Sequence, residues 1–208
     1  MSDLPPDDRP LQQIEHSSAT ARVPDPVGRG VFATAAVVLH GANEFVIDFI
    51  QSIVHPSRVA ARVILPPKVA GQFTAALGEA LGKYAQSFGG PPADPARQAA
   101  QKAAQQGQPA AAGANPDQPG AAGQPAGAAA NAPRQEPPIA DIYEHLKLPD
   151  EMLGGSYANV VSITHTASEF CFDFIAQVFP RSAVTARVYM AAARAPELLA
   201  SLKRSTGT

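Results

Sequence analysis

Two carboxylate–guanidinium pairs are the residues whose type and spacing could do chemistry. Asp48 precedes Arg62 by the same interval as Asp173 precedes Arg187, and each stands in an apolar run: EFVIDF and VAARV, then EFCFDF and VTARV. An arginine in such surroundings can hold a substrate carboxylate, and an aspartate can move a proton, but only if the two do not neutralise one another. Mutual pairing is the expected outcome, with the pairs fixing register and partner choice rather than reacting. A second candidate is the turn that carries His40 and Glu44, repeated as His165 and Glu169. One imidazole and one carboxylate could share a proton or begin a metal site. No third ligand stands nearby in sequence, so a solvated polar cap is expected. Cys171 is the single cysteine, which excludes an intrachain disulfide or a cysteine-based zinc site. Between Phe170 and Phe172 it reads as a buried, inert thiol. The nucleotide-binding loops, the nucleophile elbow and the zinc-protease signature are all missing from the sequence, and Gly28, Gly30, Gly154 and Gly155 open a strand rather than the helix that a phosphate cradle needs. The expectation is no catalytic residue, no metal and no cofactor.

The elements that would position these residues come in duplicate. Laying Glu44 on Glu169 and extending without a gap brings Pro24-Asp25 onto Pro149-Asp150, His40 onto His165 and VAARV onto VTARV. Roughly a third of the positions agree at this one offset, which marks an internal duplication. Within each copy the apolar period is two and then about 3.6. Strands are expected at Thr20 to Val23, Phe32 to His40, Glu44 to Val54 and Val59 to Leu65, with counterparts at His145 to Leu148, Tyr157 to His165, Glu169 to Phe179 and Val184 to Met190. Asn159, in place of Thr34, reads as a strand-edge hydrogen bonder. A helix should begin near Pro67 and align Val69, Phe73, Leu77, Leu81, Tyr84 and Phe88, whereas the second copy offers only Pro196, Leu198, Leu199 and Leu202. The segment IADIYEHL, Ile139 to Leu146, fits a short helix or, in its last residues, a strand.

The expected fold class is therefore α+β: two tandem β-β-β-β-α repeats, each antiparallel sheet covered by one helix, paired as a pseudo-dimer. The helix should cover the face with Phe45, Ile47 and Phe49, and the reverse face with Asp48 and Arg62 should meet its duplicate. Repeat two, with the shorter helix, should have the smaller stability reserve. The divisions expected are a disordered tail at 1–18, repeat one at 19–88, a Pro/Gly/Ala/Gln-rich disordered linker at 89–138 with a transient helical turn near Ala96 to Gln106, and repeat two at 139–208.

A formal net charge of −2 and no basic run give no reason to expect nucleic acid as a partner. The opening MSDLPPDDRP lacks the character of a secretory signal, and no apolar run approaches the ~20 residues that span a bilayer. A cytoplasmic protein without a membrane partner is the expectation.

In order, GVFATAAVVLHGANEFVIDF with ARVILPPKVAGQFTAALGEALGKY, and GSYANVVSITHTASEFCFDF with ARVYM, resemble a small bacterial family labelled domain of unknown function 3467. The resemblance covers both repeats, departs at Ala33-Thr34 and at the shortened second helix, and implies a compact strand-plus-helix unit prone to pairing, with no activity attached. The element order is also similar to that of the bacterial secretion chaperone that holds unfolded exports. The function expected is a non-catalytic assembly or adaptor module, binding a protein partner or itself through sheet faces, with further homo-oligomers open. The alternatives are a chaperone-like holder of extended segments, and a small-molecule-binding protein or enzyme with its site between the repeats.

Overall fold

The computed structural model describes residues 21–92, 139–178 and 181–207. The expected tail at 1–18, the helical turn near Ala96 and nearly all of the linker lie outside them. The fold is α+β, with two four-stranded, largely antiparallel sheets and packed helices.

Each copy contributes three long antiparallel strands. In the first, β2 (Ala35–His40) pairs with β3 (Phe45–Gln51), and β3 with β4 (Arg58–Leu65). In the second, β6 (Val160–His165) pairs with β7 (Glu169–Val178), and β7 with β8 (Arg181–Ala191). A register shift follows Phe49 in one copy and Phe174 in the other, the same point of the duplicated sequence. Up to that point strict alternation turns Phe45, Ile47 and Phe49 inward.

The fourth strand of each sheet comes from the other copy. Strand β1 (Val31–Ala33) runs parallel to β8, and β5 (Ser156–Tyr157) parallel to β4, giving the orders β1-β8-β7-β6 and β2-β3-β4-β5. The single strand expected from Phe32 to His40 is thus broken at Thr34, where the chain crosses between sheets, and its duplicate is broken at Ala158-Asn159. Thr34 pins one crossing: its amide and hydroxyl donate to the Ile50 carbonyl at 2.8 and 3.2 Å. Asn159 pins the other, its amide donating to the Ile175 carbonyl at 3.0 Å and its side chain bonding the amide and carbonyl of Gln177 at 2.7 and 3.0 Å. Of the strands expected at Thr20 to Val23 and His145 to Leu148, the described residues form one bridge each, Arg22 to Ala183 and Lys147 to Arg58, again to the other copy. After them come a short helix α1 (Asp25–Gly28) and a 3₁₀ turn (Asp150–Met152), both begun by a proline.

The helices exchange as well. Helix α2 (Pro67–Phe88) starts at the expected proline and buries Val69, Phe73, Leu77 and Tyr84. Phe73 meets Phe172 and Phe174 of the second copy edge-on at 5.7 Å each, and Tyr84 lies 5.5 Å from Phe170. The segment after the linker is a helix, α3 (Ile139–Glu144). Helix α4 (Ala195–Thr206) packs on β2 of the first copy and on α2. The sheets therefore meet through their phenylalanine faces, Phe49 lying 5.5 Å from Phe174, and not through the reverse faces. The result is one core. Phe49, Phe73, Phe170, Phe172 and Phe174 are 0–1 % exposed, and burial of each contributes about 2–3 kcal/mol. The expected order of stability reserve loses its basis, because the short helix covers repeat one's edge strand and the long helix covers repeat two.

Candidate functional site

Both expected ion pairs form between directly opposed positions of neighbouring strands, Asp48 with Arg62 and Asp173 with Arg187. Each is a two-point contact. Arg62 donates from Nε and Nη2 to the two Asp48 oxygens at 2.7 Å each, and Arg187 donates likewise to Asp173 at 2.6 and 2.7 Å. These bonds raise both guanidinium pKa values further above the usual arginine range, against the opposing effect of burial.

What covers each pair is the exchanged segment of the other copy. Helix α1 packs on β8, and the 3₁₀ turn packs on β4. Gly30 and Gly155, duplicates of each other, both have positive φ, +63° and +61°. A Cβ on Gly30 would lie 2.9 Å from Arg187 Cγ and 2.5 Å from Tyr189 Cε2; on Gly155 it would lie 3.0 Å from Arg62 Cγ. These glycines let the backbone ride directly over the arginine stems. Over the first pair, α3 adds Tyr143, whose hydroxyl donates to Asp48 Oδ2. Burial, then the hydrogen bond to Asp48, pushes the Tyr143 phenol up to about 12. The second pair receives instead a longer contact, Arg187 Nη1 to the Gly28 carbonyl at 3.4 Å. Cys171 also approaches Asp173, at 3.9 Å, and burial raises its thiol pKa, as does the neighbouring carboxylate. That is the opposite of what a reactive thiolate needs.

Between the two exchanged segments lies a cleft of about 160 Å³, with Val27, Ala61, Met152 and Ala186 in its lining and Arg62 and Arg187 beside it. It is apolar in the main, and its guanidiniums are already engaged by carboxylates.

The His–Glu turns do not bring their members together. His40 stacks near Phe45, ring centroids 5.9 Å apart, while the Glu44 carboxylate accepts from the Asn43 amide. His165 sits instead among Tyr84, Phe88 and Phe170, at 5.5, 6.1 and 5.3 Å, with Nδ1 buried and without a hydrogen-bond partner. Among the described residues no three of His, Cys, Asp or Glu converge to hold a metal ion. Nor is any described helix long and apolar enough to cross a membrane. Tyr143, Gly30 and Gly155 belong to the site although nothing in the sequence pattern assigns them to it; the one available signal is that glycine recurs at position 30 and at its duplicate while most of the surrounding loop differs.

The profile of a family described as protein of unknown function (DUF3467) matches residues 6–90 and 115–206, two copies across the chain. The chain belongs to that family. No curated protein and no solved structure matches it.

Proposed function

We propose that the chain is a non-catalytic protein-interaction module, an intramolecular pseudo-dimer that offers its sheet edges to a partner. The Asp–Arg pairs support this by what they already do: each charge is satisfied internally, under a segment exchanged from the other copy, which fits a brace better than a reactive centre. The observation that carries the reading is the character of β2 and β6. They are the outermost long strands of their sheets, and their sequences, AAVVLH and VVSITH, contain no Lys, Arg, Asp, Glu or Pro. Sheet edges left unpaired are ordinarily blunted by such residues, because open backbone groups recruit further strands.

Tagged protein purified from its native cells, with mass spectrometry of what accompanies it, tests the proposal. One stoichiometric protein, lost when Leu39→Lys and Thr164→Lys place charges on the two edges, is the expected result. A heterogeneous set of unfolded clients would move the assignment to a chaperone-like holder. A retained metabolite without a protein would move it to the small-molecule reading.

A further inference from the structure

Three segments meet at one level beside the β3–β4 turn, and they bring two cations together there. Arg58 is the direct partner of Gln51 on one side and, through a parallel bridge, of Lys147 on the other. Two backbone bonds hold that bridge: the Lys147 amide donates to the Ser57 carbonyl at 2.8 Å, and the Val59 amide to the Lys147 carbonyl at 2.9 Å. Directly paired positions turn their side chains to the same face at the spacing of neighbouring strands, about 4.8 Å. Like charges so placed repel. No carboxylate relieves them, since among the described residues neither Arg58 nor Lys147 forms an ion pair. The duplicate bridge, Arg22 to Ala183, carries one cation, so the fold does not require two. Ala176 likewise stands where the first copy has Gln51.

Gln51 holds the guanidinium in place, its Oε1 accepting from Arg58 Nε and Nη2 at 3.2 and 2.9 Å. Arg58 Nη1 and the Lys147 ammonium are left without a partner among the described residues. They border a cavity of about 300 Å³ whose other walls are Val54, His55 and Pro56, with no Asp or Glu in its lining. We propose that this cavity binds the phosphoryl group of a phosphate monoester. Such a group carries about −1.5 to −2 charges at neutral pH, which matches the two cations. Its oxygens can accept from Arg58, Lys147 and the imidazole of His55 together. A carboxylate would cancel one charge and leave the other. Val54 and Pro56 give the organic part of the ester an apolar wall. The site does not use the open edges of β2 and β6, so the protein-interaction reading stands or falls separately.

Isothermal titration calorimetry of the full chain with phenyl phosphate, inorganic phosphate and benzoate, at physiological ionic strength, tests it. Saturable one-to-one binding is expected, tightest for phenyl phosphate and weakest for benzoate. Arg58→Ala and Lys147→Ala should each weaken phenyl phosphate at least about tenfold, and the double variant should bind none. Arg58→Ala gives the first copy the residue its duplicate has at position 183, so it should fold normally. Gln51→Ala should weaken binding less, by freeing the guanidinium, and Arg22→Ala on the duplicate bridge should change nothing. A phosphoserine peptide that binds more tightly than free phosphoserine would place the ester on a partner protein, and equal affinity would make it a small molecule; both uphold the site. Benzoate bound as tightly as phenyl phosphate would overturn the phosphoryl assignment. Binding that persists in the double variant, or no binding of any of the three anions to the parent, would overturn the site.

Discussion

Asp48→Asn should destabilise the protein more than Asp173→Asn, although the two positions are duplicates. The Asp48 side chain is 0 % exposed and its arginine 14 %, while Asp173 and Arg187 are 21 % and 22 % exposed. Asp48 also accepts from Tyr143, so an amide there leaves Arg62 with one poor acceptor and puts an NH₂ group among donors. Breaking a buried pair costs ~3–5 kcal/mol, and an exposed one ~0–1 kcal/mol. The first change belongs near the lower end of the buried range, about 3–4 kcal/mol, and the second between the classes, about 1–2 kcal/mol. A difference of about 2 kcal/mol in a body of this size corresponds to about 4–8 °C in Tm. Circular-dichroism melts of both variants measure it directly, and Asp48→Leu, Arg62→Met and their double form a cycle that isolates the coupling, the double recovering part of the loss of Asp48→Leu. A Tm for Asp173→Asn at or below that of Asp48→Asn would refute the reasoning, as would a coupling near zero.

Gly30→Ala should cost about 2–4 kcal/mol, since it combines positive φ with a 2.5 Å approach to Tyr189, and Gly155→Ala should cost less, with contacts at 3.0 Å; chemical denaturation ranks them. Gly78→Ala, on the middle of α2 with nothing within 4 Å of the added methyl, should raise stability by about 0.5–1 kcal/mol in the same assay. Tyr143 is held neutral in the folded protein with its pKa raised from 10.0 to about 12, so its contribution is complete below pH 10 and is lost as pH rises through about 12. The parent should lose stability across that window by alkaline titration, and Tyr143→Phe should lose less. Proteolysis within 93–138 should leave the two halves co-eluting from a sizing column at micromolar concentration, because strands and helices cross between them.

The duplication, the antiparallel triplets, the long helix and both Asp–Arg pairs are legible in the sequence because each has a local signature. Period two gives the strands, and a constant offset aligns Asp48 with Asp173 and Arg62 with Arg187. The exchange is not legible. The core-facing positions step from Ala33 to Ala36 and from Ala158 to Val161, a one-residue change of phase at the crossing that the nearly continuous apolar runs ATAAVVL and ANVVSI do not display, so each reads as a single strand. Helix ownership is hidden for a related reason: an apolar stripe on α2 fixes which face is buried but not whose sheet receives it. Phe73 could rest on Ile47 and Phe49 of its own copy or on their duplicates, and it meets the duplicates, Phe172 and Phe174, where both partners are aromatic. Tyr143 has no counterpart to expose it, since the matching position holds Ser18.

The exchange of first strands is the central structural claim, and a disulfide across it is the most direct measurement. With Cys171→Ser removing the native thiol, Phe32→Cys and Tyr189→Cys occupy paired positions of β1 and β8 in different copies, at a strand spacing that a disulfide can bridge. After oxidation and cleavage at a protease site introduced within 93–138, the halves should migrate on a denaturing gel as one species without reductant and as two with it. Two species without reductant, from protein whose thiols are intact and whose melt matches the parent, would show that each repeat keeps its own first strand and would contradict the account.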